Sequence, residues 1–327
     1  MGGLLETRRS ETKSRFEQLQ RELSRAAEIA ADRACVYATG SFARGEATKY
    51  SDLDLFIVGL GDKARPELSY LDETCLKANL IEATRSLGIP DFSGDGEYLI
   101  HYTDQELVET LGKPHDDASN TFTARLLLLL ESKPVIGDAV YEKTVSNVVA
   151  AYWRDYEDHK GDFLPAFLTN DILRLWRTFC VNYEARTATE PEEKKAKRKL
   201  KNYKLKHSRL LTCYSAILHL LTIFKMHGTV HRGDALEMTR LTPTARLEWL
   251  LGQEAAAPAH ETVKGLLEHY EGFLTATDAP EEDLLRRFLD REESVRRFES
   301  ANKFGDLMFE TIELLGQKSR LHRVLVV

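Results

Sequence analysis

Two short stretches of this chain carry residue types that could do chemistry together. One is Gly40–Ser41, directly after the apolar run Cys35–Ala38. The other is Asp52 and Asp54, at the mouth of the apolar run Leu53–Val58. A period of two places both carboxylates on one face of an extended strand. Side by side they repel, and they are costly to bury unless a cation lies between them. Hard oxygen donors with few other ligands suit Mg²⁺ or Mn²⁺ that also holds a substrate phosphate. A glycine lets backbone approach a phosphate closely, and the N–H groups of the helical turn after it point at the anion.

The elements that must position these residues can be read around them. Residues 10–31 form an amphipathic helix with Phe16, Leu19, Leu23, Ala26, Ala27 and Ala30 on one face. The segment 35–58 reads as strand, tight turn, short helix and strand. A helix over 68–87 follows, with Leu68, Leu71, Cys75 and Ala83 inward, and then a strand over 97–103. Phe122–Ser132 reads as a buried helix stopped by Pro134, with Asp116 and Asp117 as its solvated acidic entrance. From Asp138 onward the pattern is almost wholly helical. It is interrupted by a charged loop over 187–200 and runs on into an amphipathic helix from Leu210 to Gly228. A long helix over 280–315 is expected to break near Gly305, and the C-terminal segment reads as a short strand or a tail.

The pattern G-S-x-x-R-G-E…S-D-x-D, on Gly40, Ser41, Arg44, Gly45, Ser51, Asp52 and Asp54, resembles the signature of the DNA polymerase β-like nucleotidyltransferase superfamily. Ten residues separate Ser41 from Asp52, and each half of the motif stands at a strand end. A weaker resemblance, carried by the leucine run and its L-x-G-D-like ending, is to PII-uridylyltransferase-like signalling nucleotidyltransferases. The resemblance implies an α+β protein. A small mixed-sheet catalytic core would occupy residues 1–115, and a helical domain over 116–327 would complete the nucleotide and acceptor cleft.

It also implies a third carboxylate on a strand beside the D-x-D strand. Glu97 is the candidate, with Asp95 second. Asp52, Asp54 and Glu97 would then hold two divalent ions and carry the catalysis. Gly40, Ser41 and Arg44 would contact the nucleotide, joined by Lys204, Lys206 and Ser208 from the helical half, with Lys201 a lesser candidate. Nine Lys or Arg residues lie between Lys194 and Arg209, and Tyr203 among them could stack on a nucleic-acid base.

The implied reaction is in-line attack of an acceptor hydroxyl on the α-phosphorus of a nucleoside triphosphate, with pyrophosphate leaving. The acceptor could be a protein side chain, an RNA end, a small molecule such as an antibiotic, or another nucleotide in a signalling oligomer. A non-catalytic nucleotide-binding regulator and a metal-dependent phosphohydrolase are the rival classes. The helical mass also offers a surface for a partner protein.

Composition bounds these readings. Hydrophobic residues make up 43% of the 327 residues and charged ones 30%, the balance of an ordinary globular chain. A net charge of −7 argues against a surface built for non-specific nucleic-acid binding. The run Leu126–Leu130 is too short to span a bilayer, the N-terminus lacks a signal-peptide core, and Glu6 stands where a myristoylation signal needs Ser or Thr. The four scattered cysteines are expected to be small buried residues in a reducing compartment, which places the protein in the cytoplasm with no membrane partner.

Overall fold

The structure, a computed structural model, describes residues 3–92, 96, 99–187 and 194–326. The chain divides into two compact units, Met1–Arg154 and Asp155–Val327. The expected boundary after residue 115 falls inside the first unit. Residues beyond it supply an edge strand and two helices to the first unit's sheet.

The first unit runs α1 (Gly3–Glu22), α2 (Ser24–Ala30), β1 (Ala34–Thr39), α3 (Gly40–Arg44), β2 (Asp54–Gly59), β3 (Gly61–Asp62), β4 (Arg65–Pro66), α4 (Tyr70–Ser86), β5 (His101–Thr103), α5 (Asp104–Glu109), α6 (Thr121–Leu130), β6 (Lys133–Ile136) and α7 (Asp138–Tyr152). Its main sheet has the order β5-β2-β1-β6. β1 is antiparallel to both β2 and β6, and β2 is parallel to β5, so the sheet is mixed.

Alternation along β1 and β2 gives the sheet two apolar faces. Val36, Ala38, Leu55 and Ile57 pack in one cluster with Phe16 and Leu19 of α1, Ala26 of α2, and Leu76 and Leu80 of α4. On the other face Tyr37 stacks on Phe56 at 5.4 Å and lies 6.1 Å from Tyr141 of α7. The Tyr37 hydroxyl donates to the Ala124 carbonyl of α6 at 3.3 Å, which satisfies the one polar atom this ring buries.

Several expectations are corrected here. The first helix breaks at Leu23 rather than running through to residue 31. In α4 the inward side chains are Leu76, Leu80 and Ala83, while Leu71 is 75% exposed and Cys75 is exposed. Pro134 does not simply end a helix. It sits in β6 at the sheet edge, where a missing N–H is tolerated. Asp116 is not solvated: it is fully buried and accepts from Arg125 at 2.5 and 3.1 Å and from the Thr121 hydroxyl at 2.7 Å.

Among the described residues every regular element of the second unit is a helix: α8 (Ala166–Thr187), α9 (Lys195–Lys204), a π-helical turn (Leu205–Arg209), α10 (Leu210–His227), α11 (Arg232–Arg240), α12 (Pro243–Leu251), α13 (His260–Thr277), α14 (Glu281–Leu289), α15 (Arg291–Gly316) and α16 (Arg320–Val324), with short 3₁₀ turns between some of them. Its centre is α10, almost wholly buried from Leu211 to Ile223 and packed against α8, α11, α12 and α15. The continuous helix Lys195–His227 is long and apolar enough to cross a membrane, and 67% of its apolar window is buried within the protein, as in a core helix.

Candidate active site

The site forms where β1 turns into α3. Thr39 is extended, and Gly40 follows at φ +66°, a left-handed conformation that side chains with a Cβ avoid. This turn sends the chain into a five-residue helix instead of continuing the strand. The antiparallel register pairs Thr39 with Asp54, so the turn and the carboxylate arrive together. The approach is close: a Cβ placed on Gly40 would lie 3.3 Å from Asp54 Oδ2. Residues fourteen apart in sequence thus become neighbours through one strand pairing.

Burial alternates along the mouth of β2. Asp52 is exposed, Leu53 is 2% exposed and Asp54 is half-buried. Leu53 and Leu55 belong to the core under the sheet, so Asp54 between them lies on the side away from that core. Asp54 lies beside the glycine turn and Asp52 is exposed two residues before it; both are hard-oxygen donors of the kind a magnesium-type ion takes. Among the described residues, no three His, Cys, Asp or Glu side chains group closely enough to hold a metal.

The third carboxylate was expected beside Asp52 and Asp54. Of the strand expected over 97–103, the described residues show only β5, His101–Thr103, which pairs in parallel with β2, Ile57 opposite His101. Parallel pairing brings the chain into β5 from the Asp54 end of the sheet. Glu97 and Asp95 themselves lie outside the described residues.

The turn and the loop after it are held from several directions. Gly45, left-handed at φ +74°, ends α3, and the Glu46 N–H donates to the Ser41 carbonyl at 2.8 Å. The Ala47 N–H donates to Thr12 Oγ1 of α1 at 2.9 Å. The Thr48 N–H donates to Ser51 Oγ at 3.0 Å, so the serine of the S-D-x-D motif shapes the loop. Arg15 of α1 donates to the Thr48 carbonyl and its guanidinium lies over the Phe42 ring at 4.9 Å.

Arg44, expected at the nucleotide, is buried between two carboxylates. Its side chain is 8% exposed and donates from Nε to Glu46 at 2.8 Å and from Nη1 to Glu131 at 2.9 Å. Thr12, Arg15 and Glu131 were not foreseen as site-forming residues. Glu131 left one signal: it is the charged residue that ends the leucine run.

In the helical unit, Lys201, Lys204, Lys206 and Ser208 do not begin a helix after a charged loop. They lie within the continuous helix from Lys195 to His227, because Lys, Arg and Ala form helix well and nothing there breaks it. Lys204 is exposed. Lys206 donates to Asn302 at 2.9 Å, and the Ser208 hydroxyl accepts from Tyr270 at 3.4 Å. Tyr203 offers no stacking face to a nucleic acid: it is 3% exposed and packs against Phe273 and Phe288 at 5.5 and 5.6 Å.

A strand, glycine-serine turn, short helix and second strand with D-x-D at its mouth define a nucleotidyl-transfer core. The family model of the nucleotidyltransferase domain matches residues 17–120, in agreement with the polymerase β-like resemblance. The chain therefore contains a nucleotidyltransferase domain and is a nucleotidyltransferase enzyme. Comparison with curated proteins and with solved structures gives no significant match.

Proposed function

We propose that the protein transfers a nucleoside monophosphate from a nucleoside triphosphate to an acceptor hydroxyl, with divalent ions held by Asp52, Asp54 and Glu97. The observation that carries this reading is the contact-distance placement of Gly40 against Asp54, on a strand mouth where Asp52 and Asp54 flank the buried Leu53. The backbone N–H groups of the turn and the Ser41 hydroxyl donate to the outer phosphates. That placement leaves the α-phosphorus over the carboxylates. The acceptor oxygen forms a bond to the α-phosphorus as the bond to the bridging oxygen breaks. Pyrophosphate leaves with that electron pair, and the acceptor's proton goes to a carboxylate or to water. Bound divalent ions supply charge neutralisation and a lowered pKa for the attacking hydroxyl.

The test incubates the protein with each α-labelled triphosphate and Mg²⁺ or Mn²⁺, with and without cell extract. Label is expected to appear on an acceptor with stoichiometric pyrophosphate. The Asp52→Ala, Asp54→Ala double variant is expected to lose at least about a thousandfold in rate, since it removes the groups that hold the charge-neutralising ions. Retained labelling in that variant sinks the reading. Monophosphate release with no labelled acceptor would instead identify a phosphohydrolase.

A further inference from the structure

We infer that Glu131 and Arg15, both outside the segment matched by the nucleotidyltransferase family, are positioning residues that hold the glycine-serine turn and its loop in place for the triphosphate. The inference rests on the reaction proposed above for that same site.

The turn has little to hold it from within. α3 is only five residues long, with left-handed glycines at both ends, Gly40 and Gly45. A helix that short has no stability of its own. The loop from Glu46 to Leu53 contains no regular structure, yet it must deliver Asp52 and Asp54 to the same place.

Two anchors compensate. The first is Arg44, the last residue of α3. Its guanidinium is gripped from two sides, by Glu46 and by Glu131, whose side chains are 2% and 0% exposed. Glu131 is the residue just after α6, two positions before β6 begins. It is therefore fixed by a helix and an edge strand of the same sheet. A charge-assisted bond between fully buried partners is strong and directional, and a planar guanidinium can satisfy two carboxylates at set angles. Losing Glu131 leaves Arg44 held from one side only, by Glu46, and frees the end of α3 from α6 and β6.

The second anchor is α1. Arg15 donates to the Thr48 carbonyl, and Thr12 accepts from the Ala47 N–H at 2.9 Å. The side chain of Arg15 also covers Phe42 of α3, so one arginine restrains both the turn and the loop. Together the anchors hold Phe42, Arg44, Ala47 and Thr48, the middle of the segment between Gly40 and Asp54.

Amide hydrogen exchange and steady-state kinetics on the full chain test this. In Glu131→Gln the amides of residues 41–46 are expected to exchange at least about tenfold faster, while those of β1 and β2 stay protected. Arg15→Gln is expected to have the same effect on the Thr48 and Ser51 amides. It removes one half-exposed side chain, so it keeps the question open to test even if Glu131→Gln unfolds the unit. With the wild type active, both variants are expected to raise the triphosphate KM several-fold more than they change kcat at saturation. A loss of stability alone would lower the active fraction and leave KM unchanged. Unchanged exchange at the turn and loop in both variants overturns the inference, as does an unchanged KM in variants of an active wild type. A wild type that transfers no nucleotide from any triphosphate overturns the proposed reaction, while the exchange result still decides whether these residues hold the turn.

Discussion

Gly40 concentrates two demands on one residue. Its backbone must be left-handed, at φ +66°, and its missing side chain leaves room for the Asp54 carboxylate. Gly40→Ala would strain the turn by about 1 kcal/mol and put a methyl 3.3 Å from Asp54 Oδ2. The expected result is a small loss of thermal stability with a much larger loss of nucleotidyl transfer, measured as melting temperature against labelling rate. A mutant that keeps full activity would mean the approach of turn to carboxylate has no bearing on catalysis. The approach of Gly40 to Asp54 was legible in the sequence because one antiparallel strand pairing unites their ends, so local spacing encodes it. Glu131 was not legible as Arg44's partner, since it stands 87 positions further along the chain. Thr12 stands 35 residues from Ala47, and only the packing of α1 brings them together.

At the scale of elements, punctuation misled where a residue type has two uses. Pro134 reads as a helix stop, and it does follow α6, but it also fits an edge strand that has no neighbour on its outer side. The turn after β6 depends on Gly137, at φ +75°, where a Cβ would fall 2.8 Å from Cys35 Cα and would also meet the Ala34 carbonyl. Gly137→Ala is therefore expected to destabilise the first unit by roughly 2–3 kcal/mol, read as a lower denaturant midpoint. It should also loosen Glu131, because β6 is one of the two elements that fix it. Gly305 was expected to break the last long helix. The break falls instead at Asp290, whose side chain accepts from the Glu293 N–H at 2.8 Å and caps α15. An aspartate cap starts a helix actively, whereas an interior glycine only weakens one. Asp290→Ala should cost about 1 kcal/mol of stability, measured by urea unfolding, and leave nucleotidyl transfer unchanged.

At the scale of the whole molecule, each unit has its own core, and the two differ in what they bury. The first unit buries paired charges, Arg44 with Glu46 and Glu131, and Arg125 with Asp116. The second buries Arg246 and two imidazoles, His207 and His219. His207 is fully buried in the π-helical turn, stacked against Phe273 at 4.5 Å and Phe304 at 5.1 Å, with Nδ1 on the Tyr203 carbonyl and, among the described residues, no partner for Nε2. Burial pushes its pKa down to about 4, helped by the nearby charges of His269 and Lys206. His219, 4.0 Å from the Trp249 ring, is pushed down to about 3 by burial and then by Arg246. Unfolded, both would take up a proton near pH 6.5. As pH falls below that value the unfolded chain binds protons that the folded unit refuses, so stability present above about pH 6.5 is lost as pH drops toward 4. The loss is on the order of 3 kcal/mol for His207. The transition of the helical unit, followed through Trp249 fluorescence, is therefore expected to move to lower temperature between pH 6.5 and 4. His207→Phe keeps an aromatic ring in the stack and removes the titrating group, so it should flatten that dependence. An equal slope in wild type and variant would show that the acid sensitivity arises elsewhere than in this buried ring.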